Sequence, residues 1–156
     1  MNSYIVVLEM AAATAIVGSW MFVQRKRSAD MRNLARRLGL SYTGTDIPRS
    51  LTLTGTQIEK TSQVWNLIEG TPHGVNVIAF DCRIGRGKWS RCRTIIAARE
   101  SNPFPATVFD KDLTVERMGD WSLLYRSNAP SFFGFQLMPL AELEAHLDSI
   151  ENQDGR

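Results

Sequence analysis

The chain has 156 residues, of which 44% are hydrophobic and 22% are charged, and its formal net charge is +2. These proportions are typical of a folded globular protein and exclude a wholly disordered or collagen-like chain. Two cysteines are too few for a disulfide-stabilised small scaffold or for a four-cysteine zinc site.

The first predicted element is an apolar run from Tyr4 to Val23, in which Glu9 is the one charged residue. A helix of this length spans about 30 Å, the thickness of the hydrocarbon core of a bilayer. A cleaved signal peptide would need basic residues before the apolar run, and the segment 1–3 has none. The run therefore predicts a single transmembrane helix that contacts membrane lipid. Its small residues also permit contact with another membrane protein or with a second copy of the chain.

The residues after the apolar run are strongly basic. Residues 24–37 contain six basic side chains and one acidic, whereas residues 38–156 contain 12 basic and 14 acidic ones. Basic residues beside a membrane segment favour the cytoplasmic side. The sequence thus predicts a transmembrane anchor with a basic stem over 1–27 and a cytoplasmic α+β domain over 28–156. The predicted location is a cell inner membrane, crossed once, with the N-terminus outside.

Apolar residues at helical spacing over 31–38 predict a short helix that ends at Gly39. The segment 41–62 is expected to be a loop with a short strand at 51–54, and a final helix is expected after Pro139. Strands are predicted over 64–70, 75–83, 91–99, 106–109, 113–117, 121–126 and 132–137. The predicted fold class is α+β, an antiparallel β-meander packed by a C-terminal helix and compatible with a pleckstrin-homology-like fold.

The two cysteines lie in the strongest predicted hairpin, which joins strands 75–83 and 91–99. If Cys82 faces Cys92, then Asp81 faces Arg93, and this cross-strand pair of opposite charges supports the register. Buried free thiols are expected, because the predicted compartment is reducing. A disulfide or a redox switch is the alternative.

The loop of this hairpin contains the candidate binding residues Arg86, Lys88, Trp89 and Arg91. Glycines in the loop allow backbone amides to approach an anion, and a tryptophan can insert at a lipid interface. The alternative is a solvated hairpin tip with Trp89 folded back onto the sheet. A domain tethered to a membrane favours anionic lipid as the ligand, and no nucleic-acid partner is expected.

Sequence motifs for catalysis do not occur in the chain. It has no P-loop, no dinucleotide-binding fingerprint, no zinc-protease motif and no serine-hydrolase motif. His73 and His146 lack the spacing of metal ligands. The sequence accordingly predicts no catalytic residue, no metal and no cofactor.

Several segments resemble a group of uncharacterised bacterial proteins, namely 62–70, 74–83, 93–98, 119–125 and 138–147. Members of that group join an N-terminal membrane helix to a small cytoplasmic α+β domain. The resemblance implies this architecture and a bacterial origin, and it carries no activity.

These observations favour a membrane-anchored, non-enzymatic module that binds a partner protein or an anionic membrane surface. The alternative function is a small-ligand sensor or an enzyme with a pocket under the C-terminal helix.

Overall fold

A computed structural model describes residues 3–45, 47, 51–87, 90–99, 104, 112–127 and 135–151. The chain folds as an α+β structure, as predicted. Its elements in chain order are α1 (Ser3–Arg37), β1 (Ser41–Gly44), β2 (Thr61–Gly70), a short 3-10 helix (Pro72–Gly74), β3 (Val77–Ile84), β4 (Arg91–Ala98), β5 (Leu113–Met118), β6 (Trp121–Arg126), β7 (Phe135–Gln136) and α2 (Leu140–Glu151). The predicted strand at 106–109 lies outside the described residues, as does the first half of the predicted strand 132–137.

The strands form one sheet in the order β1-β2-β3-β4-β6-β5, with antiparallel neighbours, and the short β7 pairs parallel to β4. The sheet departs from the predicted meander at two places, because β4 pairs with β6, and because β7 pairs parallel to β4 instead of antiparallel to β6. The burial of β5 and β6 explains the first of these differences. Residues Trp121–Tyr125 of β6 are all buried, whereas β5 exposes alternate side chains. The more apolar strand takes the inner position, and the strand with a polar face takes the edge.

Two predictions between Ser41 and Thr61 are wrong. Residues Ser41–Gly44 form β1, which pairs with β2, although the sequence predicted a loop. In place of the predicted strand at 51–54, residues 51–53 have no regular structure and a turn begins at Thr54. In this turn the Thr56 hydroxyl donates a hydrogen bond to the Leu53 carbonyl, 2.7 Å away. The four residues of β1, Ser-Tyr-Thr-Gly, show no alternation of apolar and polar residues, so the sequence pattern gives no strand signal there.

Helix α1 is continuous over 35 residues and is therefore about 52 Å long. It includes both the predicted apolar run and the predicted helix over 31–38. The helix ends before Gly39, whose φ of +66° allows the Leu40 N–H to donate to the Ala35 carbonyl at 2.8 Å, as the sequence predicted. Among the helices of the described residues, none has the combination of length and apolar character that a membrane span requires.

The central strands of the sheet are buried on both faces. One face packs against α1 and α2, in a cluster that includes Met31, Leu34, Ile96, Leu124, Leu143 and Leu147. The other face is covered by the segment 51–60, in a cluster that includes Leu51, Ile58, Phe80, Ile95 and Leu123. Burial on both faces matches the apolar stretches 77–80 of β3 and 95–98 of β4.

Two contacts of α1 with the sheet show the direction in which the N-terminal half of the helix extends. Arg27 contacts Asp81, whereas Leu40 lies against Gly70, which pairs with Val77 at the other end of β3. Residues before Arg27 therefore extend toward Ile84 and the β3–β4 loop. We call this the hairpin end of the sheet, and the end at Val77 the far end.

Candidate functional site

The predicted binding loop is at the hairpin end. Arg86 and Arg91 are exposed, and Lys88 and Trp89 lie outside the described residues. The start of the loop is fastened to neighbouring chain, because the Gly85 N–H donates to the Lys60 carbonyl at 2.9 Å. Gly85 has a φ of +80°, a conformation that glycine adopts without strain. The loop thus holds its arginines at a defined place while their charged groups stay in solvent.

Other exposed cations join these arginines at the hairpin end. Arg25 and Lys26 are on α1 just before Arg27, and Lys60 lies beside Gly85. Lys26 contacts Asp30 at 3.3 Å, in an exposed pair of the kind that contributes little to stability. The hairpin end therefore presents positive charge from three separate parts of the chain.

The N-terminal half of α1 exposes most of the large apolar side chains that are exposed in the described residues. Apart from Val115 on β5, these are Val6, Val7, Leu8, Met10, Val17, Met21, Phe22 and Val23, with Leu8 73% exposed and Phe22 69% exposed. Soluble proteins rarely leave so large a contiguous apolar surface in water. This surface is consequently a candidate for contact with lipid or with another protein.

The predicted register of the hairpin is wrong by one residue. Asp81 lies opposite Thr94, and Cys82 lies opposite Arg93. Arg93 therefore faces away from Asp81, and its guanidinium stacks 5.3 Å from the centre of the Tyr125 ring. The sequence prediction chose the register that paired the cysteines and the opposite charges, but the pairing follows burial on the two faces of the sheet.

The two cysteines are buried and free, and they lie on opposite faces of the sheet. Because Cys82 shares a face with Arg93, the next residue along β4 from Cys92, the two sulfurs point away from each other. Burial raises the pKa of the Cys82 thiol to about 12 and also raises the pKa of Cys92. Both thiols are therefore protonated at neutral pH. Because the sulfurs also lie on opposite faces, they are not placed to form the disulfide that the sequence analysis gave as an alternative.

The partner of Asp81 is Arg27 of α1, which the sequence analysis counted only as part of the basic stem. The Arg27 Nε is 2.7 Å from one carboxylate oxygen, and its Nη2 is 2.9 Å from the other. Asn66 donates to the first oxygen at 2.9 Å, and the Thr94 hydroxyl donates to the second at 2.7 Å. The carboxylate has no exposed surface. Four donors satisfy both oxygens, which is what a buried carboxylate requires.

The same cluster extends to three further residues. The Thr94 hydroxyl oxygen accepts from the Met138 N–H at 2.9 Å, just before α2. The Asn66 side-chain oxygen accepts from Ser28 at 2.6 Å and from Tyr42 at 3.1 Å. Asn66 has a φ of +54° at a bulge in β2, a conformation that asparagine tolerates better than most residues. The cluster thus joins α1 and the segment just before α2 to β1, β2, β3 and β4.

This cluster stabilises the fold and leaves Asp81 with no acceptor site for a substrate. A general base must reach the proton that it removes, and all four contacts of the Asp81 carboxylate are internal. The arrangement therefore positions α1 on the sheet.

His146 of α2 is buried, with 4% of its surface exposed, and its Nε2 is 3.7 Å from a carboxylate oxygen of Glu142. Arg126 holds that carboxylate through two hydrogen bonds of 3.2 and 2.7 Å. Burial lowers the pKa of the imidazole below its usual value, against the opposing effect of Glu142. His146 is a neutral packing residue at pH 7, and groups of metal-ligating residues do not occur in the described part of the chain.

Three cavities lined by described residues lie away from α2. Two of them, of about 240 and 420 Å³, share Arg99 and Trp121 at the far end. A third, of about 480 Å³, lies between α1 and β1 and is lined by Arg32, Arg36 and Tyr42 among others. The pocket that the alternative function places under the C-terminal helix stays a prediction.

No protein-family model, curated protein or solved structure matches the chain. The resemblance to uncharacterised bacterial proteins and the pleckstrin-homology-like form therefore stay predictions.

The substitution Asp81→Asn should strongly destabilise the fold, because it leaves the guanidinium of Arg27 buried without its counter-charge. We expect a loss of about 3–5 kcal/mol in the free energy of unfolding, measured by urea denaturation. The matched control Asp30→Asn breaks the exposed Lys26 pair and should cost less than about 1 kcal/mol. Equal losses in the two variants would contradict the assignment.

His146 should make the fold sensitive to acid. Its pKa is lower in the folded state than in the unfolded state, so the unfolded chain binds more protons as the pH falls below 6.5. Stability is therefore lost over that pH range down to the folded-state pKa. Urea unfolding at a series of pH values should show this loss in the wild type and a smaller one in His146→Leu. A difference between the two proteins that does not change with pH would refute the prediction.

Proposed function

We propose that this protein is a membrane-anchored, non-enzymatic module whose β3–β4 hairpin binds an anionic membrane surface. The observation that supports this proposal most directly is that an apolar surface and a basic surface lie at the same end of the sheet. The exposed apolar half of α1 and the exposed cations of the hairpin extend from the same end of the sheet. A membrane that receives the helix would thus meet the basic loop as well.

The apolar half of α1 provides the larger part of the proposed binding energy. Burying a large apolar side chain is favourable by roughly 1.5–3 kcal/mol, and eight such side chains are exposed here. Over the full sequence, the run from Tyr4 to Val23 carries Glu9 as its single charge and is about 30 Å long as a helix. These properties favour insertion into lipid over docking on a protein groove.

The hairpin cations provide orientation and lipid preference. Each lysine or arginine near an anionic leaflet contributes about 1 kcal/mol. Arg86, Lys88 and Arg91 lie within six residues of sequence, in a loop that is hydrogen-bonded at Gly85 to Lys60, the residue before β2. The basic stem after Val23 favours a cytoplasmic domain in a bacterial inner membrane, with the chain crossing once.

Charges placed on the apolar half of α1 should release the protein from membranes. The double substitution Leu8→Asp with Val17→Asp puts two carboxylates on exposed positions, each costing about 2.5–3.5 kcal/mol within lipid. Full-length wild type should stay with carbonate-washed membranes, and the variant should move to the supernatant. Val115→Asp, on the exposed apolar residue of β5, is the control and should not change the distribution. A soluble wild type, or a variant that stays in the membranes, would refute the anchor.

The released double variant also isolates the contribution of the hairpin. It should float with vesicles that contain phosphatidylglycerol and not with phosphatidylcholine vesicles. Adding Arg86→Ala, Lys88→Ala and Arg91→Ala should weaken this binding about 100-fold, from about 1 kcal/mol for each cation.

The matched control carries the same loss of charge away from the hairpin end, as Arg36→Ala, Arg99→Ala and Arg117→Ala. Binding should then change by less than about threefold, because charges beyond the Debye length of about 8 Å are screened. Equal effects of the two triple variants would show that net charge, and not the hairpin, determines binding.

A further inference from the structure

The cavity between α1 and β1 differs in charge from the two cavities at the far end of the sheet. Its described lining has two arginines and no acidic residue, and consists of Arg32, Arg36, Tyr42, Ala35 and Leu40. Each far-end cavity instead has a carboxylate beside Arg99, from Glu69 in one and from Asp120 in the other. Of these three cavities, the one between α1 and β1 therefore has a net positive lining.

Both arginines of this cavity are oriented by neighbours that leave their charge uncompensated. The Arg32 guanidinium lies 4.8 Å from the centre of the Tyr42 ring. The Arg36 guanidinium donates a hydrogen bond to the side-chain oxygen of Asn33. An aromatic ring and an amide oxygen hold a guanidinium in place, but neither carries a full negative charge. Within the described part of the chain, neither arginine contacts a carboxylate.

Three acidic residues on neighbouring elements do not supply the counter-charge. Asp30 of α1 and Glu144 of α2 each form an ion pair with a different cation, at 3.3 and 2.9 Å. Glu69 lies opposite Ser41 in the β1–β2 register, so its side chain is on the other face of the sheet from that of Tyr42. The two arginines are thus available to an anion from outside the chain, and both side chains are exposed to solvent.

The spacing of the two arginines selects a compact anion. Arg32 and Arg36 are four residues apart on one helix, which places their Cβ atoms about 5–6 Å apart on the same side. Two cations at this spacing repel each other, and one group with about two negative charges offsets that repulsion. A phosphate monoester carries a charge of about −1.5 to −2 at pH 7, and it offers three acceptor oxygens to guanidinium donors. A dicarboxylate divides the same charge between two separated groups.

The cavity also has room for an organic group beside the phosphate. Its volume is about 480 Å³, and sites for small organic ligands typically have about 300–1,000 Å³. Ala35, Leu40 and the ring of Tyr42 add apolar surface next to the arginines. A ligand that fits this lining therefore has an apolar or aromatic group attached to its phosphate.

The position of the cavity along α1 favours a soluble ligand over a lipid. Arg32 and Arg36 are nine and 13 residues after Val23, which is about 13 to 20 Å along the helix. The headgroup region of a bilayer is about 5–8 Å thick on each side. With the apolar run inserted in lipid, as the proposed function requires, the cavity lies beyond the lipid phosphates.

We propose that Arg32 and Arg36, with Tyr42 orienting the first, bind a small soluble phosphate monoester between α1 and β1. This site is separate from the β3–β4 hairpin, so it adds a ligand-binding activity to the proposed membrane module. The Tyr42 hydroxyl donates to Asn66 at 3.1 Å. The ligand therefore binds next to the cluster that positions α1 on the sheet.

The test measures the unfolding temperature of the full-length protein, in micelles of an uncharged detergent, while phenyl phosphate is added. Four other compounds are compared with it, namely phenol, succinate, inorganic phosphate and dihexanoyl phosphatidylglycerol. The variants Arg32→Met and Arg36→Met each remove a charge and keep an unbranched side chain. Arg117→Met is the matched control, because Arg117 is an exposed arginine of β5, at the opposite edge of the sheet from β1.

For the wild type we expect phenyl phosphate to raise the unfolding temperature, because a ligand that binds the folded state stabilises it. Inorganic phosphate should have a smaller effect, and the three other compounds should have none. Arg32→Met and Arg36→Met should each bind phenyl phosphate about tenfold more weakly, through the loss of charge-assisted hydrogen bonds. Arg117→Met should bind it as the wild type does. Both arginines of the site are exposed, so the variants should fold, which circular dichroism checks.

A wild type that does not respond to phenyl phosphate would overturn the proposal, and so would an equal loss of affinity in Arg117→Met. An equal response to phenol would overturn the anion, and an equal response to succinate would overturn the phosphate. An equal response to inorganic phosphate would overturn the organic group. If the phosphatidylglycerol acted as strongly, the ligand would be a lipid and the soluble source would be wrong. Membrane fractionation of the wild type tests the anchor independently of all these results.

Discussion

The ion pair between Arg27 and Asp81 determines how α1 lies on the sheet. Apolar contacts such as those of Met31 and Leu34 are not directional, so on their own they allow a helix to slide or rotate over an apolar face. A bidentate guanidinium–carboxylate contact allows neither. Desolvating both charges is costly, and the four donors on Asp81 offset that cost. The pair thus contributes more to fixing the position of α1 on the sheet than to the free energy of unfolding.

The position of this pair controls the direction of the remaining helix. Because α1 is continuous through Arg27, its apolar half is a rigid extension of the part that packs on the sheet. The hairpin loop is similarly fastened, through the hydrogen bonds of Gly85 and of Ser62 to neighbouring chain. The helix and the start of the loop at Gly85 are therefore both held by the folded domain.

Much of the fold could be predicted from local patterns. Strands β3, β4 and β6 each contain a short apolar stretch, and α2 has leucines at helical spacing, so the sequence signal lies within each element. The partner of Asp81 was harder to predict from the sequence. Asp81 is an acid in an apolar strand and needs a cation, but the sequence offers Arg93 nearby and Arg27 54 residues earlier. Only the faces of the sheet decide between them, and a register shift of one residue reverses those faces.

The bulge at Asn66 shows why the rest could not be predicted. Its φ of +54° turns the amide toward α1, where it contacts Ser28, Tyr42 and Asp81. No pattern in β2 marks an extra residue, because a bulge is defined by the strand opposite it.

A rigid connection between anchor and loop has a physical consequence for membrane binding. If a flexible linker joined them, each contact of the loop with lipid would cost the entropy of ordering that linker. Here the Arg27–Asp81 pair already fixes α1 on the sheet that carries Arg86 and Arg91. Under the proposed function, insertion of the helix would therefore bring these two cations toward the headgroups with no flexible linker to order. The attraction of each cation to an anionic leaflet, about 1 kcal/mol, would then contribute to binding without a loss for ordering a linker.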